Sequence, residues 1–259
     1  MAKLRNYNVV LIHFVVFLTF LFQLGCSAPK ATVTKIEGKQ IVITNNLPEV
    51  DKIVAFVKPY KEHIDKDLNL VLAQAPETLD KNGAWQSPMG NMFSKVVYDK
   101  GNPIFKTREN KTIDFVLLNH GGIRTIIPKG NITARTAFEI MPFENSLVIV
   151  ALKGEQIEEL LAYFISEKKP HPLYGITFTI DKDNKPAKIT IQGKPFDRES
   201  TYYVGTNDYL ANGGDNMSFF KKGMQRYDLD YKLRNILIDY FTEVETVSIL
   251  NDIRINVEK

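Results

Sequence analysis

The chain has 259 residues, of which 44% are hydrophobic and 24% charged, with a formal net charge of +3 and one cysteine. That length allows one or two domains and a sizeable core, while a lone cysteine excludes an internal disulfide framework. Basic residues are scattered among acids, without a like-charge run or a basic helix, which argues against a nucleic acid polymer as partner.

Lys3 and Arg5 precede an apolar run from Val9 to Phe22, broken only by His13 and Thr19, and Leu24-Gly25-Cys26-Ser27 follows. This is the pattern of a secretory signal. Cys26 follows a small residue where the apolar run ends, so residues 1–26 are similar to the signal of bacterial lipoproteins, with Cys26 as the lipidation site. An exported protein, membrane-anchored by lipid on the periplasmic or cell-surface face, is the expectation. A free thiol beside an ordinary cleavage site and a transmembrane anchor are the alternatives, although the run is shorter than the roughly 20 apolar residues of a span. Residues 27–259 then read as a single domain.

Between Ser27 and Asn46, Val33 and Ile36 before Glu37-Gly38-Lys39, and Ile41 and Ile43 after it, predict a leading hairpin. Ile53, Phe56, Val57, Tyr60 and Ile64 give residues 50–69 one apolar helical face, with Pro59 expected to kink or divide the helix. Met89, Met92, Phe93, Val96 and Val97 predict a second helix. The stretch Gln74 to Pro88 reads as a loop. Thr112 to Leu118 is a nearly continuous apolar run, expected as a buried strand whose C-terminal end presents a ligand-facing turn.

Residues 147–152 are apolar on both faces, as in a buried strand, and Gly154 opens a helix whose Ile157, Leu160, Leu161 and Phe164 face the core. Gly175 to Ile180 and Lys188 to Gln192 flank a polar turn and predict a hairpin, and Thr201 to Thr206 predicts another strand. A last helix, Tyr231 to Phe241, is expected to bury Leu233, Ile236, Leu237 and Tyr240. Interleaved helices and hairpins imply an α+β fold of α/β-sandwich type, a mixed β-sheet with packed helices.

Three distant segments share one chemistry: Asn119-His120-Gly121-Gly122-Ile123-Arg124, Met141-Pro142-Phe143-Glu144-Asn145, and Asn207-Asp208-Tyr209-Leu210-Ala211-Asn212-Gly213-Gly214-Asp215. Glycine pairs let backbone approach a ligand or turn sharply. Arg124 can fork onto phosphate oxygens, and Asp215 can accept hydrogen bonds from vicinal hydroxyls. Read singly, Arg124 is a strand-edge arginine, Asn119 and Asp215 are turn residues, and Phe143 and Tyr209 are core aromatics.

Taken together, the segments resemble the C-terminal, substrate-binding domain of the 5'-nucleotidase family, in which two aromatic side chains sandwich a nucleobase. Further similarity at Gly90-Asn91 and Gly154 extends the resemblance over most of residues 50–255. It implies substrate contacts from Asn119, Gly121, Gly122, Arg124, Phe143, Tyr209, Asn212, Gly213, Gly214 and Asp215. Phe143 and Tyr209 form the clamp, Tyr standing for the commoner Phe, and Asp215 faces the ribose. His120 replaces a family glycine, and a left-handed backbone there would be less favourable for His. Lys81 stands where the family offers another phosphate-binding Arg, and Lys95-Val96-Val97 replaces an Asp-Ala-Met-type triplet.

Complete members of the family carry a metallophosphatase domain ahead of this one, with two metal ions. His63, His120 and His171 stand apart in the mature sequence, and no metal-ligand motif joins them. The expectation is therefore no catalytic residue, metal or cofactor in this chain, with a divalent metal pair in a separate metallophosphatase partner. A nucleotide or nucleoside would be the small-molecule ligand, and the chain the substrate-specificity part of a split phosphohydrolase. The alternative is a non-catalytic nucleotide- or nucleoside-binding surface lipoprotein.

Overall fold

The computed structural model describes residues 2–22, 33–44 and 48–258. The chain divides into two compact units, Met1–Asp51 and Lys52–Lys259. The first contains helix α1 (Ala2–Phe22) and an irregular stretch over 33–44. Among the described residues no helix is long and apolar enough to cross a membrane. Cys26, the expected lipidation site, lies outside the described residues.

The expected leading hairpin is absent from residues 33–44, where Val33, Ile36, Ile41 and Ile43 are all exposed; its ends, 27–32 and 45–46, lie outside the described residues. An isolated two-stranded hairpin is marginal without a third strand or helix to cover its apolar side, so alternation alone was not enough.

Helix α2 (Asp51–Leu68) starts at the last residue of the first unit and is a single helix that runs through Pro59 and buries none of its residues. Pro59 frees the carbonyl four residues earlier, and Ala55 is exposed, so water can satisfy it. The amphipathic pattern is real, but Ile53, Phe56, Val57, Tyr60 and Ile64 face solvent.

There follow β1 (Val71–Ala75), α3 (Pro88–Glu109), β2 (Phe115–Leu117), β3 (Gly130–Thr133), α4 (Ala134–Ile140), β4 (Ser146–Lys153) and α5 (Gly154–Glu167). Then come β5 (Leu173–Tyr174), β6 (Ile176–Ile180), β7 (Pro186–Ile191), β8 (Lys194–Pro195) and β9 (Thr201–Asn207). The unit ends with α6 (Asp208–Ala211), β10 (Gln225–Lys232), α7 (Leu233–Glu243) and β11 (Ile255–Val257). Ser87 starts α3 by accepting the Gly90 N–H at 3.0 Å, with Pro88 at the first helical position.

The central sheet has the order β10-β4-β9-β2-β5. It is mixed, because β2 and β9 run parallel while every other pairing is antiparallel. A second sheet, β11-β6-β7-β8, contains the expected hairpin of β6 and β7, and β1 pairs with β3.

Both faces of the central sheet are covered, which is why β2 and β4 are apolar throughout. On one face Val116, Leu118, Leu147 and Ile149 pack with Met92, Phe93 and Val97 of α3 and with Ile236, Leu237 and Phe241 of α7. On the other, Phe115, Leu117, Val148 and Val150 pack with Leu160, Leu161 and Phe164 of α5 and with Ile176 and Phe178 of the second sheet. The expected last helix begins two residues late, because Tyr231 and Lys232 still belong to β10, and Tyr240 is half-buried while Phe241 takes the core position.

Candidate nucleotide-binding site

The topology brings the three segments to one edge. Parallel β2 and β9, in register at Phe115↔Val204, end together, so the turn after β2 and the loop after β9 are neighbours. Antiparallel β4 begins where β9 ends, with Leu147 opposite Asn207, so residues 141–145 enter at the same place. Strand ends that leave backbone groups unpaired are common ligand positions in such sheets.

A cavity of about 360 Å³ lies there, lined by seven of the expected residues: Asn119, Gly121, Gly122, Arg124, Phe143, Tyr209 and Asp215. That volume falls within the range of small-molecule sites. Met141, Asn145 and Asn207 also line it and were missed, although each sits within the quoted segments at a strand end.

Phe143 is 47% exposed and Tyr209 46%, so neither is a core aromatic. Two exposed rings on one cavity, where most other large apolar side chains of the sheet layers are buried, offer flat apolar faces to a planar ligand. The Arg124 guanidinium lies 5.7 Å from the centre of the Phe143 ring and donates to the Gly121 carbonyl at 3.2 Å. That is its one side-chain hydrogen bond among the described residues, which leaves most of its donors available to an anion.

The turn after β2 is a single 3-10 turn, His120 to Gly122. None of the three has a positive φ, so His120 meets none of the left-handed cost that a glycine would have avoided. Gly122 is needed for another reason: a Cβ there would stand 2.8 Å from Asn119 Oδ1. The same Asn119 is buried and acts within the protein, donating to Asp215 Oδ2 at 2.7 Å and accepting from Asn207 Nδ2 at 3.4 Å.

Asp215 is the hub. Its backbone is left-handed at φ 51°, a region Asp tolerates better than most residues. Tyr209 OH donates to its Oδ1 at 2.9 Å, and Tyr163 OH donates to its carbonyl at 2.7 Å. Burial, and then the charges of Glu167 and Asp215, push the Tyr163 hydroxyl up to about 12, so it stays a donor at neutral pH. Asn145 joins the second and third segments by donating to Asp208 Oδ1 at 2.7 Å.

Asn212, Gly213 and Gly214, expected as substrate contacts, lie outside the cavity lining and instead shape the third loop. Asn212 Oδ1 accepts from Arg226 at 3.1 Å. Gly213 has φ 82°, and a Cβ at Gly214 would fall 2.4 Å from the Tyr209 ring. Lys81 also lies off the cavity lining, its ammonium donating to the Ile123 carbonyl at 2.8 Å.

His120 and His171 are not isolated from each other, as their sequence spacing suggested. The His120 N–H donates to His171 Nδ1 at 3.1 Å, and the buried His171 ring stands edge-on to Phe164 at 5.5 Å. Burial, followed by the neighbouring His120 and Lys169 charges, pushes His171 down to about 4, and burial also lowers His120. Both rings are therefore neutral at pH 7. Among the described residues no three His, Cys, Asp or Glu side chains are arranged to hold a metal ion.

The chain is similar to several known proteins. An apyrase from Tabanus yao is 25% identical over 244 residues, covering 85% of this chain and 44% of that protein. Protein UshA of Yersinia enterocolitica is 26% identical over 72% of this chain and 34% of its own length. The crystal structure of a 5'-nucleotidase precursor from Thermus thermophilus superposes with a TM-score of 0.66 at 26% identity, over 80% of this chain and 42% of that one. The chain thus spans less than half the length of these relatives. The family model described as "5'-nucleotidase, C-terminal domain" matches residues 70–222, a stretch that contains all three segments, and the chain belongs to that family.

Proposed function

We propose that this chain is the nucleotide-binding, substrate-specificity component of a 5'-nucleotidase-type phosphohydrolase. The base enters between Phe143 and Tyr209, the ribose faces Asp215, and the phosphate lies toward Arg124. The observation that carries this reading is the 360 Å³ cavity, which has on its rim two half-exposed rings and a guanidinium with no carboxylate partner among the described residues. A site for a nucleoside alone would have no use for that cation.

Two stacked faces contribute on the order of 1–3 kcal/mol each, and binding energy from base and ribose positions the remote ester for attack. The attack itself belongs to a separate metallophosphatase chain carrying a divalent metal pair, against which this chain presents the nucleotide. Lys3, Arg5 and the apolar run support export, and lipid on Cys26 holds the protein at the membrane, where the pair takes part in extracytoplasmic nucleotide breakdown.

The test is phosphate release from a panel of nucleotides by the purified chain together with an exported metallophosphatase domain and divalent metal. Release that requires both chains supports the split enzyme. Nucleotide binding without release by any such pair identifies a non-catalytic nucleotide-binding lipoprotein instead.

A further inference from the structure

The hydroxyl of Tyr209 does more than decorate a stacking ring. It donates to Asp215 Oδ1 at 2.9 Å and accepts from the Asp215 N–H at 3.2 Å, a two-point link between residues six apart in one loop. Asp215 Oδ2 is taken by Asn119 Nδ2 at 2.7 Å, and its carbonyl by Tyr163 OH at 2.7 Å. Every polar group of this one residue is therefore held, by side chains from three elements.

An ionised carboxylate has about four acceptor sites. Asp215 has committed one on each oxygen, which fixes the carboxylate plane and leaves one site on each oxygen unused, and the residue lines the cavity. A vicinal diol delivers two O–H donors side by side, one for each oxygen. Without the tyrosine hydroxyl, only the Asn119 bond would resist rotation about the last torsion of Asp215, which is intrinsically broad.

Building on the nucleotide-binding reading, we propose that Tyr209 is a positioning residue for sugar specificity: its hydroxyl orients the Asp215 carboxylate to receive a 2',3'-diol, so the site selects ribonucleosides and ribonucleotides over their 2'-deoxy counterparts. A phenylalanine at this position would keep the stacking face and lose the selection. A plain loop stitch would behave differently, because misplacing the ring weakens every ligand that carries the same base by the same factor.

The experiment is calorimetric titration of adenosine and 2'-deoxyadenosine into the full chain in mild detergent, for wild type, Tyr209→Phe, Asp215→Asn and the double variant, with circular dichroism to confirm folding. Wild type should prefer adenosine by about tenfold, the scale of hydrogen bonds to a charged group. In Tyr209→Phe, adenosine should lose several-fold more affinity than 2'-deoxyadenosine, and the double variant should discriminate no less than Asp215→Asn alone. An unchanged ratio in Tyr209→Phe, or equal loss of both ligands, overturns the proposal while leaving the base clamp intact. Failure of the wild type to bind either nucleoside would overturn the nucleotide-binding reading and this proposal with it.

Discussion

Gly214 sits behind the Tyr209 ring, and replacing it with alanine separates clamp geometry from fold stability. A Cβ there would stand 2.4, 2.5 and 2.6 Å from three ring carbons, against the roughly 3.5 Å at which carbons rest. The ring would have to retreat by about 1 Å. Gly214 has no positive φ, so alanine is not strained by the backbone itself. Tyr209 is half-exposed, and it can swing into solvent without disturbing the core. The expected cost is at least one stacked face, about 1–3 kcal/mol, because the retreating ring also draws its hydroxyl away from Asp215, so the Kd for adenosine should rise by roughly 5- to 150-fold or more. The thermal midpoint should move little, because the displaced ring lies at the surface. Calorimetry and thermal melts on the same samples check both halves. An alanine variant that binds adenosine within twofold of wild type would refute the placement of Tyr209 at the base.

Two further outcomes follow from buried and exposed positions. His171 has a folded pKa of about 4 against an ordinary 6.5, so the fold favours its neutral form. The unfolded chain takes up the proton first as pH falls. Stability is full above about 6.5 and is lost on the way down to about 4, by about 3 kcal/mol from this residue; urea unfolding at pH 7 and 4.5 should show that loss, and His171→Gln should flatten it. Phe56→Ser in α2 should change the unfolding free energy by less than about 0.5 kcal/mol, since the side chain is exposed and the Tyr60 ring beside it, 5.8 Å away on the same helix, is exposed too; a loss above about 2 kcal/mol would show that the face is covered in the folded chain.

The parts of the fold legible in the sequence are those buried on both sides. β2 and β4 are short apolar runs because helices cover one face of the sheet and α5 with the second sheet covers the other. β10 escaped notice because it is an edge strand, with Tyr227 and Leu229 buried between Arg226, Asp228 and Asp230, so its alternation is mixed with charge. In α2 and the 33–44 stretch the periodic pattern is present with its apolar residues exposed, and periodicity reports what a segment can bury, not whether it does.

The site divides along similar lines. Asn119, Arg124, Phe143, Tyr209 and Asp215 were legible because their three segments, read together, resemble the substrate-binding domain of the family whose model matches residues 70–222. Their division of labour was not. Whether Asn119 and Asp215 meet the ligand or each other depends on a 2.7 Å hydrogen bond between residues 96 positions apart. The role of Gly214 depends on where a neighbouring ring falls, and the touching of His120 and His171 on the hairpin-like return of the chain through β5 beside β2.

The proposed site holds a nucleotide between Phe143 and Tyr209 with its phosphate toward Arg124. Titration of adenosine and AMP into the chain, with Phe143→Ala and Tyr209→Ala alongside, tests it most directly. AMP should bind more tightly than adenosine, and each alanine should weaken both ligands by roughly 5- to 150-fold. Affinities that survive both substitutions, or no heat from either ligand up to millimolar concentration, would contradict it.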